Sequence, residues 1–197
     1  MMKNYNKVLV LTAHPDDLEL SCGGTVKKFV DEGIQVDNAI LCGDVPHARY
    51  VKESSKILGY NPILFHYRDH HPTTTVVEHL EDKLNMSEYD LIITHWSEDW
   101  HQDHRFCHDI ANTLRRKQPI DVWYMKAYPY CHKYKSFENN VYVDISNELD
   151  DKVRAIMCYE NVPIQWTDYT TYMSKLNGAF VRVEDAEVFK VDTLLYS

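Results

Sequence analysis

The sequence predicts an α/β protein in which a mainly parallel sheet carries helices on both faces. Two observations support this fold class: short apolar runs alternate with helical patterns through the first two-thirds of the chain, and no internal repeat interrupts the alternation. Hydrophobic residues make up 44% and charged residues 26% of the 197 residues, which are ordinary values for a globular protein. Because no linker or composition shift marks a boundary, we expect residues 1–197 to form a single domain.

Five short, apolar, β-rich runs are typical of buried strands. In chain order, the predicted strands are Lys7–Thr12, Ile34–Leu41, Pro62–Phe65, Leu91–Thr94 and Val122–Ala127. Helical patterns lie between them, and these predicted helices are Thr25–Glu32, His47–Leu58, Val76–Leu84 and Asp103–Arg116. The first two should end at Gly33 and Gly59, since glycine readily adopts the left-handed conformation that follows a helix. Such alternation of strand and helix implies parallel strands.

The C-terminal third of the sequence is less regular. Asn140–Asp144 alternates like a strand, and Asn147–Tyr159 has a helical pattern. The segment that follows is mixed, and we expect it to add edge strands or to cover a site.

The charge and the cysteines exclude several classes of protein. Lys and Arg total 21 against 30 Asp and Glu, which gives a net charge of −9 and disfavours a nucleic-acid partner. The 5 Cys are odd in number and show no Cys-x-x-Cys spacing, which indicates reduced thiols in the cytoplasm. No segment approaches the ~20 apolar residues of a membrane span. We therefore expect a soluble cytoplasmic protein with no membrane partner.

A first polar cluster, His14-Pro15-Asp16-Asp17, follows the first predicted strand. In open parallel sheets, ligands bind at the carboxyl ends of the strands, so this position suits a site. Two adjacent carboxylates repel each other unless a cation compensates them, and a divalent metal supplies that cation. On a non-helical turn one aspartate can bind the metal while the other faces its water. The alternative is an ordinary turn in which Asp16 or Asp17 caps a helix.

A second polar cluster, within residues 94–105, follows the fourth predicted strand and leads into a helix. His101 and His104 are three residues apart, which places them on one side of a first helical turn. One could coordinate a metal while the other reaches the substrate, and Asp103 could accept an N–H from one of the two rings. Both clusters follow strands at the same edge of the predicted sheet, so we expect them to converge.

Other histidines and aromatic residues carry weaker signals. His104 and His108 are four apart and could form a two-histidine zinc face, but the glutamate of that metalloprotease motif is missing. The pair His70-His71 lies in a segment typical of a solvated loop. Trp96 and Trp100 could pack beneath the loop or stack on a sugar ring.

Together these segments resemble the PIG-L/LmbE family of zinc-dependent N-deacetylases. The family pattern is Ala-His-Pro-Asp-Asp-x-Glu, then Gly-Gly, and later His-x-Asp-His, and the chain has these motifs at 13–19, 23–24 and 101–104. Phe137 to Asp151 and Ala186 to Phe189 are similar to later segments of the family. The resemblance implies a Rossmann-like three-layer α/β/α fold and a substrate that carries an N-acetylglucosamine unit.

The resemblance also implies a role for each matched residue. The implied zinc ligands are His14, Asp17 and His104. Asp16 matches the general base, His101 matches the histidine that stabilises the oxyanion, and Asp103 matches the residue that orients this histidine. One zinc ion per chain is expected, although iron, cobalt or manganese could occupy such a site.

Substrate contacts are less well defined by the sequence. Family members often carry an Arg-x-x-Glu pair after the second strand, in which the arginine contacts the substrate. Here Arg49 is followed by Glu53, which is out of step with that pattern. Arg49 and Trp100 are the candidate substrate contacts.

The leading hypothesis is a metal-dependent hydrolase that removes the acetyl group from a small-molecule N-acetyl amino sugar or its conjugate. A zinc amidase acting on a non-sugar amide or a thiol–sugar conjugate is one alternative, and a non-catalytic carbohydrate-binding protein is another. A nucleotide-binding module is disfavoured, because no Gly-x-Gly-x-x-Gly follows the first strand. The sequence leaves the oligomeric state open and is compatible with a homo-oligomer.

Overall fold

The computed structural model describes residues 5–43, 47–67, 73–127 and 136–191. In these parts of the chain, seven strands form one sheet that is flanked by six α-helices. The strands are β1 (Lys7–Thr12), β2 (Gln35–Ile40), β3 (Asn61–Leu64), β4 (Leu91–His95), β5 (Asp121–Met125), β6 (Val141–Asp144) and β7 (Ala186–Val191). The helices are α1 (Asp17–Asp31), α2 (Ala48–Leu58), α3 (Thr73–Lys83), α4 (Gln102–Leu114), α5 (Leu149–Ile156) and α6 (Ile164–Val181).

The strand order is β3-β2-β1-β4-β5-β7-β6. The first five strands are parallel, whereas β7 runs antiparallel to both of its neighbours, β5 and β6. Strand order reverses between β1 and β4, which opens a crevice at their carboxyl ends. The predicted α/β class with a mainly parallel sheet is confirmed.

Two apolar layers cover the faces of the sheet. On β1, Leu9 and Leu11 belong to one buried cluster, and Val8 and Val10 belong to the other. This alternation arises because successive side chains of a strand point to opposite faces. Helices α3 and α4 contribute to the first cluster, and α1, α2 and α5 contribute to the second. A strand covered on both faces needs a continuous apolar run, as residues 8–11 of β1 provide.

Helix α1 begins at Asp17, eight positions before the predicted start, so the loop after β1 is shorter than expected. The helix is kinked at Cys22, where φ is −140° and ψ is 20°. Glycines 23 and 24 disfavour a helix on propensity, but a Cβ on Gly24 would lie 2.7 Å from the side chain of Ile145. Tight packing against Ile145 therefore requires glycine inside this helix.

In the C-terminal third, the expected strand and helix are present as β6 and α5, whereas the segment that follows them differs from the expectation. The mixed final segment contains the 18-residue helix α6, followed by β7. Strand β7 is inserted between β5 and β6, so that β6 forms the edge of the sheet. Within the described residues, none of the helices has both the length and the apolar character needed to cross a bilayer.

Candidate metal and active site

The two polar clusters meet at the crevice between β1 and β4. These strands are adjacent and in parallel register, with Leu11 paired to Thr94. The first cluster therefore leaves the sheet beside the second, and the ring centroids of His14 and His104 are 5.4 Å apart. The predicted convergence of the two segments is confirmed.

Asp17 lies at the centre of the converging side chains. Its Oδ1 atom is 3.3 Å from Nε2 of His104, and its Oδ2 atom is 3.2 Å from Nε2 of His95. The same Oδ2 atom is 3.5 Å from Nδ1 of His14 and accepts the backbone N–H of His14 at 2.7 Å. Asp17, His95 and His104 are all buried. One carboxylate thus contacts three imidazole rings.

Two further carboxylates hold the outer nitrogens of two of these rings. Asp99 contacts Nδ1 of His104 at 3.0 Å, and Asp103 contacts Nε2 of His14 at 3.2 Å. Asp103 also lies 3.8 Å from Nδ1 of His101. Each of the rings at 14 and 104 is therefore fixed between Asp17 and an outer carboxylate.

The charges of the cluster shift the pKa of its members. Burial lowers the pKa of His104, but the carboxylates of Asp17 and Asp99 raise it to about 10. Burial raises the pKa of Asp17, yet His104 and His95 hold it well below its usual value. The pKa of the fully buried His95 falls to about 4, first through burial and then through the charge of His104. A metal ion bound by His104 would displace the proton of that ring.

The donor atoms fit a divalent cation. Two overlapping groups place candidate ligand atoms within 4.8 Å of one another: His14, His101 and His104 form one group, and Asp17, His95 and His104 form the other. Imidazole nitrogens and carboxylate oxygens are ligands that zinc accepts, and a carboxylate on the outer nitrogen is the usual support of a metal-binding histidine. The buried cluster could therefore bind a metal ion. The expected ligands are divided between the two groups: His14 belongs to the first, Asp17 to the second, and His104 to both.

Asp16 and His101 flank the ligand cluster. Both line a cavity of about 300 Å³ together with His14, Asp17 and His104. Burial and the neighbouring carboxylate of Asp17 raise the pKa of Asp16 to about 6. His101 caps α4, where its Nδ1 atom accepts the backbone N–H of Asp103 at 3.3 Å, and burial lowers its pKa. The cavity thus places an acid–base group on each side of the ligands.

The opposite wall of this cavity comes from segments to which the sequence assigned no role in the site. It includes His47, before α2, and three residues between α5 and the first turn of α6, namely Tyr159, Asn161 and Trp166. A larger groove of about 1150 Å³, lined by residues such as Lys28 and Gln35, contains none of the predicted site residues. Of these two spaces among the described residues, the cavity at the β1/β4 crevice is therefore the one that contains the candidate ligands.

A buried polar network supports the loop before Asp16. Tyr159 donates from its hydroxyl to the backbone carbonyl of Pro15 at 2.6 Å, and this hydroxyl lies 3.1 Å from the Ser54 hydroxyl. Ser54 and Tyr60 in turn donate to Glu19 at 2.6 and 2.7 Å. Burial raises the pKa of Glu19 to about 7, although both hydroxyl donors oppose the shift. Glu19, the glutamate of the first motif, therefore supports the site from behind through these hydrogen bonds.

The two candidate substrate contacts do not line the cavity. Arg49 is exposed and forms an ion pair of 3.0 Å with Glu160. Trp100 is 67% exposed, and its backbone carbonyl accepts from Arg105. Trp96 packs in the core, where its ring centroid lies 5.2 Å from that of Phe137. Of its two possible roles, packing beneath the loop and stacking on a sugar ring, it therefore has the first.

The other histidines considered in the sequence lie outside the cluster or outside the described residues. His108 contacts the backbone carbonyl of His95 through Nδ1 at 3.3 Å, and it belongs to neither group of candidate ligands among the described residues. The pair His70-His71 lies outside the described residues. His95 and Asp99 are the cluster members for which sequence reasoning gave no role, because one is the last residue of a strand and the other an ordinary loop aspartate.

Comparison with known proteins shows a shared fold. No protein-family model matches the chain, and no curated protein matches it in sequence. GalB, the 4-carboxy-2-hydroxymuconate hydratase from Pseudomonas putida KT2440, superposes with a TM-score of 0.84 at 15% identity, covering 98% of each chain. N,N'-diacetylchitobiose deacetylase from Pyrococcus horikoshii gives 0.76 at 20% identity, covering 95% of this chain and 84% of its own. The zinc-inhibited form of teicoplanin deacetylase Orf2 gives 0.76 at 13% identity, covering 94% and 97%.

These similarities bear on the resemblance inferred from the motifs. Two deacetylases are among the solved structures that share this fold, which confirms in three dimensions the fold that the resemblance implies. A hydratase shares the fold too, and a fold alone does not determine chemistry. The function has to be argued from the site.

Proposed function

We propose that this protein is a zinc-dependent N-deacetylase that releases acetate from a small N-acetyl amino sugar or its conjugate. The observation that carries the proposal is that the adjacent residues Asp16 and Asp17 occupy different positions in the site. Asp17 contacts three imidazoles, whereas Asp16 lines the same cavity and belongs to neither ligand group found among the described residues. A binding protein has no need of a second carboxylate beside its metal.

The proposed ligands are His14, Asp17 and His104. A zinc ion held there would supply Lewis-acid chemistry, polarising the acetyl carbonyl and making a bound water more acidic. Asp99 and Asp103 fix the rings at 104 and 14, so that the ligand atoms are oriented before the ion arrives.

The reaction then depends on the two residues that flank the ligands. Asp16 accepts a proton from the water that attacks the acetyl carbon. His101 donates a hydrogen bond to the oxygen of that carbonyl as negative charge develops on it, an effect worth about 3–4 kcal/mol for a well-placed donor. The C–N bond breaks when the amine nitrogen receives a proton from Asp16 or from His101, which yields acetate and a free amine.

The cavity supports a sugar-sized substrate. A volume of about 300 Å³ lies at the lower end of the range of ligand sites, which suits a single ring with its acetamido group. Trp166 offers an apolar ring and Asn161 an amide on the wall opposite the ligands, a combination that suits a face and hydroxyls of a sugar. The diacetylchitobiose and teicoplanin deacetylases named above point to the same class of substrate.

Metal content and acetate release from a panel of N-acetyl sugars and non-sugar amides test the proposal. Asp16→Ala should retain zinc and lose at least about 100-fold in kcat, since a general base contributes about 10²–10⁴. His104→Ala should lose zinc and activity together. Turnover of an amide without a sugar would show that the substrate class is wrong and would favour a non-sugar amidase. Folded, zinc-loaded protein that cleaves no amide, or an Asp16→Ala variant at full rate, would overturn the proposal.

A further inference from the structure

Helix α6 directs most of its large apolar side chains away from the protein. The stripe that is buried against the rest of the chain consists of small or polar residues, namely Thr167, Thr170, Ser174 and Gly178. A Cβ on Gly178 would lie 2.7 Å from the backbone oxygen of Glu184, so this stripe has no space for larger residues. The outward stripe consists of Tyr169, Tyr172, Leu176 and Phe180. We call these four residues the outer stripe.

The outer stripe is part of the main exposed apolar area in the described part of the chain. Except for Trp100, and for Met157 at the end of α5, every large apolar side chain that is exposed there lies on α6. Tyr172 is 64% and Phe180 is 75% exposed. Single exposed apolar residues are ordinary, whereas a contiguous patch marks an interaction surface. A standard interface buries about 800 Å² per partner, and the exposed parts of three aromatic rings of about 150–250 Å² supply roughly half of it.

Charged residues at the two ends of the stripe point to the occupant. Asp168 and Lys175 lie seven residues apart on one flank of the helix, and Arg182 directly follows its last residue, at the cap. Asp168 and Arg182 stand at opposite ends with opposite charges, and both are exposed. The pattern is therefore complementary to itself when a second helix runs in the opposite direction.

We propose that the outer stripe is a two-fold interface with a second copy of this chain, in which the two α6 helices pack antiparallel. In that arrangement Asp168 meets Arg182 of the other copy twice, as the symmetry of an isologous contact requires. The aromatic ring of Phe180 packs near Tyr169, and Tyr172 packs near Leu176. A different protein or a lipid surface would not require opposite charges at the two positions that a two-fold axis brings together.

Lys175 lies near the two-fold axis and would face its own copy. Its charge interacts with Asp185 of the same chain, and a long lysine side chain can turn its ammonium group outward while its stem covers apolar surface. The like charges at the axis are therefore tolerated, and the two Asp168–Arg182 contacts set the direction of the helices.

The first test is the mass of the full chain in solution, measured by sedimentation and by light scattering over a wide range of concentrations. We expect a dimer, or a multiple of it, and Phe180→Asp should raise the dimer dissociation constant by at least about tenfold. Trp100→Asp is the matched control, because it makes the same kind of change at an exposed aromatic ring outside the stripe. A wild-type chain that stays monomeric, or a dimer that Phe180→Asp leaves intact, would overturn the proposal.

The second test addresses the antiparallel arrangement. Asp168→Arg alone and Arg182→Asp alone should each weaken self-association, because like charges then meet at both ends. Mixing the two variants should restore dimers, since each then supplies the charge that the other lacks. Residue 182 has a φ of 66°, a conformation that aspartate tolerates, so Arg182→Asp introduces no backbone strain. A mixture that associates no better than its components would overturn the arrangement. Neither test depends on the proposed enzymatic activity.

Discussion

The hydroxyl of Tyr159 donates a hydrogen bond of 2.6 Å to the backbone carbonyl of Pro15, a residue 144 positions earlier in the chain. Pro15 belongs to the loop between β1 and α1, directly before the proposed base Asp16. Tyr159 follows α5 and lines the cavity itself. A side chain from the C-terminal third therefore supports the loop that carries the general base.

We expect Tyr159→Phe to lower kcat by about ten- to a hundredfold with little change in KM. The variant removes only the hydroxyl, and a small displacement of a catalytic group costs up to about 10²-fold in rate. Steady-state kinetics on zinc-loaded protein is the measurement. Tyr50→Phe is the matched control, because its ring lies 5.7 Å from that of Tyr159 but its hydroxyl donates to Glu160. Equal kcat in both variants would show that the bond to Pro15 has no positioning role.

Asp99 offers a test of the metal site that does not depend on activity. Its carboxylate holds Nδ1 of His104 at 3.0 Å and also accepts the backbone N–H of His101 at 2.7 Å. We expect Asp99→Ala to weaken zinc binding about 10–100-fold, the usual effect of removing a carboxylate behind a metal-binding histidine. Titration calorimetry on the folded apo-protein measures this change. Glu98→Ala is the control. An unchanged zinc affinity in Asp99→Ala would show that Asp99 does not support the metal site.

The central part of the site could be predicted because its residues are contiguous in two segments. Each segment follows a parallel strand, so the topology alone brings His14 and Asp17 close to His104. The supporting residues could not be found in this way. His95 ends a buried strand like any core residue, and Tyr159 comes from an element with no sequence link to the first motif. Contacts made by single residues across long stretches of chain leave no local pattern.

The same reasoning explains which elements were predicted. Strands β1 and β4 each contain an unbroken apolar run, residues 8–11 and 91–93, and that pattern identifies a strand covered on both faces. Helix α6 was not predicted, because its inner stripe is made of threonine, serine and glycine while its apolar residues face outward. The start of α1 was placed too late because Gly23 and Gly24 disfavour a helix. In both helices, tertiary packing outweighs local propensity.

Those two glycines provide a matched pair for a stability experiment. A Cβ on Gly24 would lie 2.7–2.9 Å from three atoms of Ile145, whereas a Cβ on Gly23 would come no closer than 3.3 Å to any atom, namely Cγ of Lys152. We expect Gly24→Ala to lower the free energy of unfolding by about 1–3 kcal/mol through overpacking. Gly23→Ala should change it by less than about 1 kcal/mol, since alanine favours a helix. Urea denaturation measures both values, and equal effects would contradict the role of the Ile145 contact.

The buried pair of Lys152 and Glu187 links α5 and β7 to the kink in α1. Nζ of Lys152 contacts Oε1 of Glu187 at 2.5 Å, and both side chains are almost completely buried. Glu187 also accepts the backbone N–H groups of Gly24 and Thr25 at 3.0 and 2.7 Å, just beyond the non-helical residue Cys22. The carboxylate therefore caps the second part of α1.

We expect Lys152→Met to lower the free energy of unfolding by about 3–5 kcal/mol, because it leaves the charge of Glu187 buried without its cation. Glu187→Gln should also destabilise, since one amide oxygen replaces two acceptors and Lys152 loses its counter-charge. The double variant Lys152→Met/Glu187→Gln should cost less than the sum of the two single changes, because it buries no unpaired charge. A double-mutant cycle by urea denaturation measures this coupling. Strictly additive losses would mean that the two charges do not stabilise each other across the kink.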